Sequence, residues 1–110
     1  MSRIDTFEAM LARGQDSEML RYTLGGEYVK AGELAAGIAH LQQAVALKPD
    51  YAAAWRALGR ALLDDARPEE ALAAFDAGLA VVATTGDQQA GKEMTVFRRR
   101  ALKQLDRSPD

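Results

Sequence analysis

The feature that most constrains this chain is a recurrence with a period of 34 residues. Residues 18–51 read EMLRYTLGGEYVKAGELAAGIAHLQQAVALKPDY, and residues 52–85 read AAAWRALGRALLDDARPEEALAAFDAGLAVVATT. A shift of 34 aligns Leu24 with Leu58, Gly25 with Gly59, Tyr28 with Leu62, Gly37 with Ala71, Leu41 with Phe75 and Ala44 with Gly78. Each copy holds two apolar stripes at helical spacing, separated by a short polar break. A unit of this length cannot bury its apolar face alone, so copies must stack on their neighbours.

Small residues recur where two helices would have to cross. Gly25 and Gly59 stand in the first helix of each copy, and Gly37 and Ala71 in the second. Ala44 and Gly78 would leave room for the following helix. A glycine in a helix interior costs about 0.5–1 kcal/mol relative to alanine, so its recurrence at one repeat position implies that close packing offsets the cost. Leu41, Phe75 and Trp55 supply the bulk that fills the layers.

The Leu-Gly pair, the small residue on the second helix, the large residue after it and the closing Pro49 together resemble the tetratricopeptide repeat (TPR) family. The resemblance covers residues 18–85, two full repeats. It departs from the pattern at Arg21, which stands where Trp55 stands in the second copy, and at Ala83, which replaces the proline supplied by Pro49. It implies an all-α fold, a stack of helix-turn-helix pairs forming a superhelix. The expected division is an N-terminal capping helix in residues 1–15, repeats in residues 18–51 and 52–85, and a C-terminal capping helix in residues 86–106, all within one domain.

Local signals place six helices. Asp5 and Glu8 have capping-box-like spacing for a first helix over about residues 4–13, ended by Gly14. Asp16 or Ser17 opens the next, which runs to about residue 30. A helix over residues 34–47 stops before Pro49, and Asp50 is a natural cap for the helix over residues 51–65. Pro68-Glu69-Glu70 starts a helix ending near residue 83, with proline and acids in its first turn. Thr84-Thr85-Gly86-Asp87 is a stop followed by a cap. The last helix, residues 87–105, puts Ala90, Met94, Phe97, Ala101 and Leu105 on one face and aligns Ala90, Met94 and Phe97 with Trp55, Gly59 and Leu62. From Asp106 onward the tail is expected to fray.

Composition narrows the chemistry. There is no cysteine, which excludes disulfides and thiolate chemistry. A net charge of -2 gives no overall attraction to nucleic acid, although Lys92, Arg98, Arg99, Arg100 and Lys103 crowd the last helix. No run approaches the ~20 apolar residues of a membrane span, and the polar N-terminus does not read as a signal peptide, so a cytoplasmic protein is expected. His40 is the single histidine and falls on an expected solvated face, one residue before Leu41. Gly25-Gly26 follows a helix rather than a strand and lacks the lysine of a phosphate loop. Asp64-Asp65 and Glu69-Glu70 are accounted for by helix ends. No enzyme, metal or cofactor is expected.

The resemblance implies a protein-binding module, in which first helices of successive repeats line a concave groove that holds an extended peptide. The expected peptide-binding residues are Tyr22, Thr23, Gly26 and Val29 in the first copy, Arg56, Arg60 and Leu63 in the second, and Lys92 and Thr95 in the last helix. Arg56 and Arg60 are neighbours on one helix face, four residues apart. Guanidinium groups favour carboxylates, so the expected partner is an acidic protein segment. Carboxylate-clamping relatives place asparagines and lysines where this chain has Tyr22, Gly26, Ala57, Gln88 and Lys92, and only Lys92 is basic there. The alternative is a structural unit that self-assembles into a homo-oligomer through its exposed ends.

Overall fold

A computed structural model of the chain describes residues 2–107, without the side chain of Arg107. The described residues form six helices: α1 (Arg3–Ala12), α2 (Glu18–Lys30), α3 (Leu34–Leu47), α4 (Ala52–Asp64), α5 (Pro68–Thr85) and α6 (Gln88–Arg107). The all-α helical repeat fold implied by the sequence is thus present. The helix expected to end near residue 83 continues to Thr85. The tail expected to fray is helical through Arg107, and residues 108–110 lie outside the described ones. Two compact units divide the chain, Met1–Pro49 and Asp50–Asp110.

In the first unit α2 packs on α3 and α1 lies against α2. A Cβ on Gly25 would meet Leu41 Cγ at 2.7 Å and the Gly37 carbonyl oxygen at 3.1 Å, so the two backbones touch where the repeat pattern demands it. Leu24, Ile38, Leu41 and Ala44 are buried around this crossing. Helix α1 is capped by Ser2 rather than by Asp5. The Ser2 hydroxyl accepts from Asp5 N at 3.1 Å, and Ser2 N donates back to Asp5 Oδ2 at 3.4 Å. Asp5 is therefore the third residue of the box, which frees Glu8 for a different task. Ser17 caps α2 by accepting from Leu20 N at 3.1 Å. Its neighbour Asp16 instead takes two hydrogen bonds from Arg21, at 2.8 and 3.0 Å.

In the second unit α4 packs on α5, and α6 packs on both. The Cβ that Gly59 lacks would fall among the ring atoms of Phe75, 2.6 Å from Cζ. Gly78 gives the same close approach to α6, since a Cβ there would lie 2.5 Å from Met94 Sδ and 3.0 Å from Trp55 Cβ. Phe75, Met94, Ala71, Ala54 and Ala101 are fully enclosed. Tyr51, not Asp50, occupies the cap position of α4. Gly86 ends α5 with a left-handed backbone (φ 77°), and Asp87 Oδ1 accepts from Ala90 N to open α6.

On α6, Met94 and Ala101 are fully enclosed and Ala90 and Phe97 are half-buried, so the apolar face expected from the sequence turns inward. The large side chain of Met94 is accommodated over Gly78 of α5.

Candidate functional site

The second unit carries a cationic face on α4 and α6. Arg56 Nη1 donates to Glu93 Oε2 at 2.9 Å. One turn further on, the Arg60 guanidinium lies 4.7 Å from the centroid of the Phe97 ring, and the Arg100 guanidinium lies 5.0 Å from it. Phe97 in turn stacks on the buried Phe75, with centroids 6.1 Å apart and planes 16° from parallel. The core ring fixes Phe97, and Phe97 presents its π-system to two arginines. Among the described residues no carboxylate lies within 4.0 Å of Arg60 or Arg100.

Glu93, Phe97 and Arg100 are spaced by four and three residues, which puts them on one stripe of α6 facing α4. Lys92 and Thr95 belong to another stripe. With Leu79 of α5 and with Gln88, Gly91, Val96 and Arg99 they line a cleft of about 520 Å³. The structure therefore brings Arg56 and Arg60 together but sets Lys92 and Thr95 in a different recess. Leu63 is only 8% exposed and belongs to the core of the unit.

In the first unit, Tyr22, Thr23, Gly26 and Val29 are all half-buried on α2. Gly26 opens onto free space, with nothing within 4 Å of where a Cβ would stand. Val29 packs against α3, because its Cγ2 fills the space over Gly37. Its apolar surface goes mainly into holding the helix pair together.

His40 does not lie on a solvated face. Its side chain is 15% exposed, and its ring stacks on Tyr28 with centroids 5.4 Å apart and planes within 5° of parallel. Arg21 Nη1 lies 3.1 Å from His40 Nδ1. Glu8 of α1 accepts a short hydrogen bond from the Tyr28 hydroxyl, and its Oε2 sits 4.0 Å from His40 Nε2. The hydrogen bond to Glu8 pushes the Tyr28 hydroxyl up to about 12. Burial lowers the His40 pKa against the opposing pull of Glu8. The Arg21 guanidinium holds the Asp16 carboxyl below the usual range. Arg21 takes this role because it replaces the large apolar residue that the second copy has in Trp55.

Sequence reasoning missed Glu93, Phe97 and Arg100 as surface partners of α4, and Leu79 and Val96 as walls of the cleft. The stripe at 93, 97 and 100 was visible as helical spacing, but Phe97 read only as core. Among the described residues no three His, Cys, Asp or Glu groups gather to hold a metal ion, and no helix is long and apolar enough to cross a membrane.

Comparison with known proteins agrees with this geometry. A family model described as tetratricopeptide repeat matches residues 22–87. A TPR repeat-containing protein of Pseudomonas aeruginosa is 44% identical over 105 residues, covering 96% of each chain. A solution structure from Bordetella parapertussis superposes with a TM-score of 0.79 at 38% identity, covering 94% of this chain and 90% of that one. The crystal structure of a tetratricopeptide repeat domain protein from Salinibacter ruber shares the fold, with a TM-score of 0.71 at 24% identity over 77% of this chain and 96% of its own. With helix pairs crossing at recurrent small residues and a matching family model over residues 22–87, the chain belongs to the tetratricopeptide repeat family.

Proposed function

We propose that this chain is a cytoplasmic protein–protein interaction module, without catalytic activity, that holds an acidic segment of a partner protein on the α4–α6 face. The observation that carries the reading is the pair Arg60 and Arg100 over Phe97, two guanidinium groups with no carboxylate within 4.0 Å among the described residues. An incoming Asp or Glu side chain meets donors already held in place by the ring. Arg56 extends the strip, and a ligand carboxylate there competes with Glu93 for the same guanidinium.

Exposed ion pairs yield only about 0–1 kcal/mol each, so several carboxylates and some apolar contact are needed for useful affinity. Binding should therefore be modest and weakened by salt. The test is to capture partners from the native host with the wild-type chain and with the Arg56→Glu/Arg60→Glu variant. A captured segment is then synthesised and titrated calorimetrically into both at low and high salt. Loss of binding in the variant, with its helical signal intact, supports the face. Equal affinity in the two proteins overturns it. A concentration-dependent mass in light scattering would favour the homo-oligomeric alternative.

A further inference from the structure

The cleft between α5 and α6 lies on another stripe of α6 from the cationic face. Its shape follows from the repeat. Each earlier first helix carries a second helix across its glycine, α3 over Gly25 and α5 over Gly59. Helix α6 stands on α5 as a further first helix, through Met94 against Gly78. At Thr95, one residue beyond the enclosed Met94, no helix crosses among the described residues. Thr95 is exposed and lines the cleft instead.

The floor and the rim differ in chemistry. Leu79 and Val96 are apolar, and Val96 is 45% exposed. Lys92 and Arg99, seven residues and two helical turns apart, stand along the cleft. Among the described residues neither has a carboxylate within 4.0 Å, whereas their neighbour Arg98 is held by Asp76 at 2.6 Å. A helix seat with an apolar floor and two unneutralised cations selects an amphipathic helix with acids beside its apolar stripe.

We infer that the α5–α6 cleft is a second docking site, which takes an acidic amphipathic helix of a partner protein in the place where the second helix of a further repeat would cross α6. The apolar stripe of the guest covers Leu79 and Val96, and its carboxylates meet Lys92 and Arg99. The site is independent of the α4–α6 face in both residues and guest geometry, since the latter is proposed for an extended segment.

The probe is a synthetic helical peptide of about five turns, with leucines at i, i+3, i+4 and i+7 spacing and glutamates flanking them. A control carries lysines in place of the glutamates. Binding is read by fluorescence anisotropy of a labelled peptide and by amide chemical-shift changes on the isotope-labelled chain. The expected result is binding of the acidic peptide at least tenfold tighter than the basic one, with shifts centred on Gly91, Thr95 and Val96. Lys92→Glu/Arg99→Glu should weaken it tenfold or more. Thr95→Glu, at an exposed position that leaves the core untouched, should do the same by placing a charge on the seat. Arg60→Glu should not change it. No binding at millimolar peptide, equal binding of both peptides, or shifts centred on Arg60 and Phe97 would overturn the inference. A concentration-dependent dimer abolished by Thr95→Glu would assign the cleft to a second copy and overturn it equally.

Discussion

The Arg21 guanidinium on α2 and the His40 ring on α3 meet at 3.1 Å, Nη1 to Nδ1. An arginine has no acceptor, so it must donate and His40 Nδ1 must accept. The proton of the neutral ring then sits on Nε2, the nitrogen turned toward Glu8 at 4.0 Å. The ring is neutral by geometry as well as by burial, because protonation of Nδ1 would place two donors against each other.

This arrangement fixes the sign of a pH effect. The folded-state pKa of His40 is lowered, chiefly by burial, while its unfolded value stays near ~6.5. The unfolded chain therefore binds the extra proton first. His40's contribution to stability is complete above the unfolded pKa and is lost as pH falls through the lower folded value. Denaturant unfolding at intervals from pH 7.5 to 5 should show stability falling on acidification. His40→Gln should flatten that fall, and an identical slope in the variant would dissociate His40 from it. Glu8, Arg21, Asp16 and Tyr28 face the ring and remain in the variant.

Gly59 should tolerate no side chain. Its missing Cβ would overlap the ring of Phe75, which is fully buried and cannot swing aside. Gly59→Ala should destabilise by about 1–3 kcal/mol through overpacking, and Gly59→Leu by more. Thermal melts followed by circular dichroism measure both, and an unchanged melting temperature would contradict the crossing.

Ala66 should prefer to be glycine. It has φ 58°, the left-handed region, and stands 34 residues after Gly32, which has φ 82°. The left-handed conformation costs a residue with a Cβ about 1–2 kcal/mol. Glycine relieves that strain but loses about 0.5–1 kcal/mol of backbone entropy. Ala66→Gly should therefore raise stability by roughly 0–1.5 kcal/mol. Chemical denaturation of the two proteins reads the difference, and a clear loss of stability would show that the alanine methyl contributes packing.

Helix α6 should be integral to its unit. Met94 is fully enclosed against Gly78, so Met94→Ala should cost about 2–5 kcal/mol. Truncation after Thr85 removes Phe97 from Phe75 as well and should cause association or a broad, weakly cooperative melt. A truncated chain that stays monomeric and melts sharply would mean that α4 and α5 suffice.

The sequence alone determined the helix pairs and their crossings. A small residue spaced by 34 has one physical use, close approach of backbones, and Gly25 and Gly59 both make it. It also determined most helix ends, because Ser17, Gly14, Pro68, Gly86 and Asp87 act through backbone geometry within a few residues. What a polar side chain touches was decided only by tertiary structure. Asp5 and Glu8 looked like one capping box, but Ser2 took the cap and Glu8 reached Tyr28, twenty residues away. Arg56 found Glu93 and Arg60 found Phe97 across two helices. Long side chains have many partners within reach, and spacing along one helix ranks only those on that helix. On α6 the sequence already placed Met94 and Ala101 on the inward face, and they are enclosed there, whereas the open cleft along Lys92, Thr95 and Arg99 follows only from the packing of α6 on α5 through Met94 and Gly78.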